Sequence, residues 1–151
     1  MAGRTQNFKL EGQYAAAARW YAEALTAYPH LPAGPSTKHR YLAACAAARA
    51  GCGRGRDAAD LDEATRLGFR RQALDWLRAE LDSWRRLLEK EPGNAWLVAR
   101  DLRDWLEDPH LAGVRGPDAL ARLPATERQA WQRLWTDIAN ALARAVDRLP
   151  R

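Results

Sequence analysis

Residues 63–90 read EATRLGFRRQALDWLRAELDSWRRLLEK, and this stretch decides the fold. Leu67, Leu74, Leu81 and Leu88 recur every seven residues, with Leu77 and Trp84 between them. Steps of three, four and seven place these side chains on one face of an α-helix, whereas a strand needs alternation. They form a seam for one neighbour. Phe69, Ala73, Trp76 and Leu87 lie to one side of it. A helix apolar on two stripes packs on two sides, as in a layered helical array. Asp60-x-x-Glu63 ahead of the run reads as a capping box, and the helix is expected to reach Lys90. Gly68 inside it costs about 1 kcal/mol relative to Ala.

The composition agrees. The 151 residues include 31 Ala, 20 Leu and 21 Arg, whereas Ile and Val together number four. Helices favour the first three and strands the last two, which excludes a β protein. The length suits one domain spanning 1–151, which buries roughly 70% of the unfolded chain's surface. A hydrophobic content of 47% excludes disorder. No apolar run approaches the roughly 18 residues of a membrane span. The opening Met1-Ala-Gly-Arg-Thr-Gln-Asn lacks the apolar core of a secretory signal. Cys45, among alanines, reads as a small buried hydrophobe, and Cys52 lies in a turn between Gly51 and Gly53. Two cysteines make no disulfide framework, and His30, His39 and His110 complete no metal-ligand set. A cytoplasmic location without cofactor or metal is expected.

Working outward, a helix is expected from Glu11 to Tyr28, stopped by Pro29 and Pro32, with the stripe Tyr14, Ala17, Tyr21, Ala24 and Leu25. Leu31-Pro-Ala-Gly-Pro is a loop. Ser36 or Thr37 is positioned to cap the next helix, which runs to Ala50 with Tyr41, Ala44, Cys45 and Ala48 inward. Gly51-Cys-Gly-Arg-Gly-Arg breaks it. After Lys90, Glu91-Pro-Gly-Asn is a tight turn and Asn94 a cap. The stripe Ala95, Val98, Leu102 and Trp105 follows, and Pro109 stops it. Residues 109–123 read as a loop with one short turn at Pro117–Arg122. A last helix runs from Pro124–Thr126 to Arg148, with Trp131, Leu134, Trp135, Ile138, Leu142, Ala145 and Leu149 on its core face. The expectation is an all-α array of antiparallel helical hairpins with about five main helices.

The net charge of +5 sits in residues 1–59, with eight Lys/Arg against three Asp/Glu; residues 60–151 balance at 16 against 16. Arg exceeds Lys 21 to three along the whole chain, which reads as compositional bias. With no recognised motif, nucleic-acid binding is disfavoured. Five of the seven Trp fit core stripes; Trp20 and Trp96 fall off them and suit an exposed interface anchor. Asp101, Asp104 and Asp108 share one helical face beside Arg100 and Arg103, which reads as a solvated mixed-charge face. His39 and His110 read as surface histidines. Arg115 is expected to hold its loop by pairing with Asp108 or Asp118.

Gly12-x-Tyr14-x-x-Ala17-x-x-x-Tyr21-x-x-Ala24-Leu25-x-x-x-Pro29 resembles the second helix of a tetratricopeptide repeat (TPR). Gly12 lets the two helices of a repeat turn tightly, Ala17 and Ala24 allow close approach, Tyr21 fills the space between repeats, and Pro29 ends the helix. Only Arg4–Leu10 precede Gly12, so residues 1–10 read as a tail or the remnant of a truncated repeat. Four further runs widen the resemblance: His39-Arg-Tyr-Leu-Ala-Ala-Cys-Ala-Ala-Ala, Arg70-Arg-Gln-Ala-Leu-Asp-Trp-Leu-Arg-Ala-Glu-Leu, Asp108-Pro-His-Leu-Ala-Gly-Val-Arg and Leu123-Pro-Ala-Thr-Glu-Arg-Gln-Ala-Trp-Gln-Arg-Leu-Trp. Together they resemble the C-terminal TPR region of planctomycete serine/threonine protein kinases and related TPR proteins, over most of residues 8–145. The resemblance implies scaffolding or partner recruitment. The kinase parts are missing: the chain has no Gly-rich phosphate loop after a strand, no Val-Ala-Ile-Lys, no His-Arg-Asp and no Asp-Phe-Gly.

The expected function is a non-enzymatic interaction module for a protein or peptide partner with acidic character. Stacked hairpins leave a concave surface lined by first helices, here 37–50 and 94–107. The candidate contact residues are Trp20, Lys38, Arg49, Trp96, Arg100 and Arg103. The truncated first repeat adds an expected apolar patch at Trp20 and Ala18, suited to self-association. Two alternatives are an accessory or autoregulatory segment of a kinase whose catalytic domain lies elsewhere, and a basic nucleic-acid-binding helical protein.

Overall fold

The computed structural model describes residues 12–28 and 38–150. The main helices are α1 (Tyr14–Ala27), α2 (His39–Gly51), α3 (Glu63–Lys90), α4 (Ala95–Glu107) and α5 (Ala125–Asp147). Short 3-10 turns at Pro92–Asn94 and Pro109–Val114 and one α-turn at Pro117–Leu120 join them. No strand occurs among the described residues, so the chain is all-α. It divides into two compact units, Met1–Leu77 and Arg78–Arg151, and the boundary falls inside α3. The expected Pro29 and Pro32 stops, the 31–35 loop, the Ser36 or Thr37 cap and the remnant repeat at 1–10 lie outside the described residues.

In the first unit α1 packs on α2. The expected inner face of α2 was one stripe, but the helix is buried on nearly every side. Ala43, Ala44, Cys45, Ala46, Ala47, Ala48 and Ala50 are all buried, while Tyr41 is half-buried. A helix apolar all round is a central helix, and alanine lets its neighbours approach closely. α1 buries Tyr14, Ala15, Ala17, Ala18 and Tyr21.

The glycine-rich segment after α2 does more than end that helix. It docks on the start of α1. Arg56 donates its backbone N–H to the Gly12 carbonyl at 2.6 Å. The Asp57 carboxylate accepts the backbone N–H groups of Ala15 at 3.1 Å and Ala16 at 2.8 Å. Gln13, at the cap position itself, makes no side-chain cap bond, so α1 takes its N-cap from a residue about 40 positions away. Gly55, at φ +91°, permits the approach: a Cβ there would lie 2.5 Å from the Gly12 oxygen and 2.7 Å from the Tyr14 ring. Gly12, at φ +104°, holds the chain out of helical conformation, and α1 begins at Tyr14.

The capping box expected at Asp60 and Glu63 is replaced by a cap two residues closer to the helix. Asp62 accepts the Thr65 N–H at 2.9 Å, and hydrogen bonding to the Thr65 hydroxyl and to that N–H holds its carboxyl below its usual range. Glu63 pairs instead with Arg70 at 2.8 Å. Arg70 is 3% exposed, and its other arm donates to the Gly51 carbonyl at 2.6 Å. Along α3 the seam holds: Leu74, Leu77, Leu81, Trp84 and Leu88 are buried and Leu67 is half-buried. On the second stripe Phe69 and Ala73 are buried, and Trp76 and Leu87 are half-buried.

In the second unit α4 packs on α5. Ala95, Val98, Leu102 and Trp105 are buried on α4; Trp131, Leu134, Ile138, Ala141 and Ala145 are buried on α5. Trp135, Leu142 and Leu149 flank that stripe and are half-buried. The segment 109–123 is core-forming rather than a plain loop, because Leu111, Val114, Leu120 and Leu123 are buried. Trp135 fixes it by donating its indole N–H to the Val114 carbonyl at 2.7 Å. Asn94 occupies the cap position of α4, but its amide donates to Glu91 at 2.8 Å and no side-chain cap forms.

Arginine has a repeated task in both units. The last carbonyls of a helix lack intrahelical partners. Arg70 takes the Gly51 carbonyl at the end of α2. Arg148 takes the Leu88 carbonyl in the last turn of α3, at 3.1 Å. Arg115 takes the Trp105 and Asp108 carbonyls at the end of α4, at 3.1 and 2.9 Å. Arg128 takes those of Leu120 and Leu123, each at 3.2 Å. Arg115 therefore holds its loop through carbonyls, and not through the carboxylate pair expected. The Asp108 carboxylate instead accepts the His110 backbone N–H and faces His110 Nδ1, both at 2.9 Å.

Candidate functional site

The α4 segment AWLVARDLRDWLE carries two interleaved patterns. Its apolar stripe seats the helix on α5. Steps of four and three then align Trp96, Arg100 and Arg103 on the opposite, exposed stripe. Trp96 is 55% exposed. The Arg100 guanidinium lies over its ring, 5.5 Å from the centroid. Arg100 Nε also donates to Asp101 Oδ1 at 3.1 Å. The Arg100 side chain is 53% exposed, whereas that of Asp101 is 6% exposed. No hydrogen bond from Arg100 Nη1 or Nη2 is found among the described residues. Arg103 is exposed one turn further on, and Asp104 and Glu107 are exposed beyond it.

The structure thus brings three of the six candidate residues onto one face and leaves three apart. Trp20 is 51% exposed on α1, edge-on to Tyr21 with centroids 5.2 Å apart. Lys38 is exposed but precedes α2 in a left-handed conformation, at φ +56°. Arg49 does not point outward. It is half-buried, its guanidinium 5.2 Å over the Tyr14 ring, with Nη1 donating to the Tyr14 hydroxyl at 3.3 Å. Because α2 is buried almost all round, it offers no open first-helix face, and the candidate residues that share an exposed face are those of α4. The expected apolar patch on α1 is also smaller. Ala18 is fully buried, and Arg19 covers Phe69 with its guanidinium 5.3 Å from the ring centroid.

The aspartates expected on one solvated face separate. Asp101 is buried, Asp104 is exposed, and Asp108 lies past the helix end as the cap of Pro109–Val114. Sequence reasoning missed Asp101 as the clamp on Arg100. The signal was present: position 101 falls three after Val98 and four before Trp105, inside the buried arc.

Among the described residues no group of three or more His, Cys, Asp or Glu is placed to hold a metal ion, and no helix is long and apolar enough to cross a membrane. Cys45 is buried and Cys52 half-buried, and they form no disulfide. No known protein family, curated protein or solved structure matches the chain.

Proposed function

We propose that this chain is a non-enzymatic, TPR-like helical interaction module that takes a protein or peptide partner on the outer face of α4. The observation that carries the reading is the exposed Trp96–Arg100–Arg103 stripe. Trp and Arg are the side chains most enriched among residues that dominate binding energy. Here they lie on a helix whose other face is anchored in a core, so the backbone that carries them is held in place by packing. The absence of kinase motifs from the sequence supports a recruiting rather than a phosphate-transferring role.

The test is a selection of a random displayed-peptide library on the full chain, counter-screened with the triple variant W96A/R100A/R103A. Enriched peptides are expected to bind the parent chain and lose at least tenfold on the variant. Enriched peptides that bind both chains equally, or no enrichment over a blank surface, refute the reading.

A further inference from the structure

We infer that Arg100 is a preformed carboxylate fork, and that the partner segment is an acidic peptide carrying an apolar side chain next to the bound carboxylate. This rests on the interaction reading above and specifies the partner's chemistry. A guanidinium has five N–H donors in a fixed plane. The one on Nε is used by Asp101, which is 5% exposed and so held by the packing around it. The Trp96 ring lies against the guanidinium. Two contacts, one at Nε and one with the ring, restrain the guanidinium. The Nη1 and Nη2 edge, with no hydrogen bond among the described residues, is the edge that receives a carboxylate in a bidentate pair. An arginine ordered in advance loses little side-chain entropy when it binds.

The surrounding charges select the ligand. Arg100 and Arg103 face Asp101 and Asp104, so the charges around the fork balance, a setting that suits a single carboxylate and is poor for a dianionic phosphate. Asp104 and Glu107, exposed further along α4, repel a polyanion that tracks the whole helix. They also set direction: the bound carboxylate of the partner lies over Arg100, on the Trp96 side of α4. The exposed Trp96 ring beside the fork offers an apolar surface to the neighbouring residue.

Fluorescence anisotropy with a fluorescein-labelled peptide of alternating Glu and Leu tests this on the full chain at 150 mM salt. The same peptide with Lys or phosphoserine for Glu, and a random duplex oligonucleotide, serve as comparisons. The Glu/Leu peptide is expected to bind, and the Lys/Leu peptide to bind at least tenfold more weakly. Arg100→Lys keeps the charge but removes the fork, and is expected to weaken Glu/Leu binding at least tenfold. Arg103→Lys is expected to weaken it less than threefold. Circular dichroism melts should match the parent for both exposed-site variants. Equal losses from the two variants overturn the fork in favour of diffuse charge. Tighter binding of the phosphoserine peptide or the duplex overturns the carboxylate assignment. If the Glu/Leu peptide fails to bind while library peptides bind in a Trp96-dependent way, the fork is wrong and the interaction face stands. If neither binds, both readings fall.

Discussion

Asp57→Ala tests whether a distant loop starts the first helix. The substitution leaves the N–H groups of Ala15 and Ala16 without the carboxylate they reach at 3.1 and 2.8 Å. Loss of an N-cap costs about 1 kcal/mol. The second charge-assisted bond and the attraction of a carboxylate to the helix N-terminus raise the expected total to about 2 kcal/mol. Gln13 makes no cap bond to compensate. In a chain of this size that corresponds to a fall in Tm of roughly 4–8 °C. Asp57→Asn keeps an acceptor but not the charge, and should lose about half as much. Urea unfolding followed by circular dichroism at 222 nm measures the total. Hydrogen exchange places it: the Ala15 and Ala16 amides should exchange about 30-fold faster, since 1.4 kcal/mol is a factor of ten, while α5 amides that exchange by local opening keep their rates. A loss below about 0.5 kcal/mol, or unchanged exchange at those two amides, refutes the long-range cap.

The two helical glycines on either side of the 52–62 loop should respond in opposite directions to alanine. At Gly51 a Cβ would sit 2.4 Å from Arg70 Cγ and 2.9 Å from Arg70 N, so Gly51→Ala is expected to destabilise by about 1–3 kcal/mol in the same urea assay. At Gly68 it would meet nothing within 4 Å, so Gly68→Ala should stabilise by about 0.8–1 kcal/mol through helix propensity. Burial, with the nearby Cys45 adding to it, pushes the Tyr21 hydroxyl above the ordinary 10.0. Folding therefore favours the neutral phenol: that contribution is whole below pH 10.0 and is lost as pH rises through the folded value. Tyr21→Phe should flatten the alkaline limb of a Tm-versus-pH curve relative to the parent, and identical limbs would contradict this. Arg115→Met removes the donor shared by the Trp105 and Asp108 carbonyls and should cost about 2 kcal/mol, read by thermal melting. Arg115→Lys should recover less than half, because an ammonium lacks the planar fork.

What was readable in the chain follows the range of the interactions involved. The α3 seam and the α4 and α5 stripes could be seen because side chains three and four apart meet on a helix, and apolar residues mark that period. α2 could not be oriented, because a run of alanines has no contrast between faces. Residues 109–123 concealed their core role, since Leu111, Val114, Leu120 and Leu123 follow 3-10 and turn spacings that match neither regular period. Asp57 and Arg49 act on partners 35 to 42 positions away, and nothing in their own neighbourhood signals it. At the α4 face, Trp96 was legible as an exposed anchor and Arg100 and Arg103 as candidate contact residues; their alignment on one stripe came with the structure. The step from charged residue to clamped residue needed the burial of Asp101, which depends on the helix that covers it.

The arginines at the helix ends also decide which chemistry can damage this molecule. The chain has 21 arginines and three lysines, Lys9, Lys38 and Lys90. Acylating agents that seek amines meet few targets, and none of the carbonyl contacts at Gly51, Leu88, Trp105 and Leu120 depends on an amine. Dicarbonyl compounds such as methylglyoxal condense with guanidinium groups and consume the N–H donors those carbonyls use. Such reagents reach the exposed Arg148 and the half-buried Arg115 and Arg128 before the buried Arg70, so the helix ends of the second unit should loosen before that of α2.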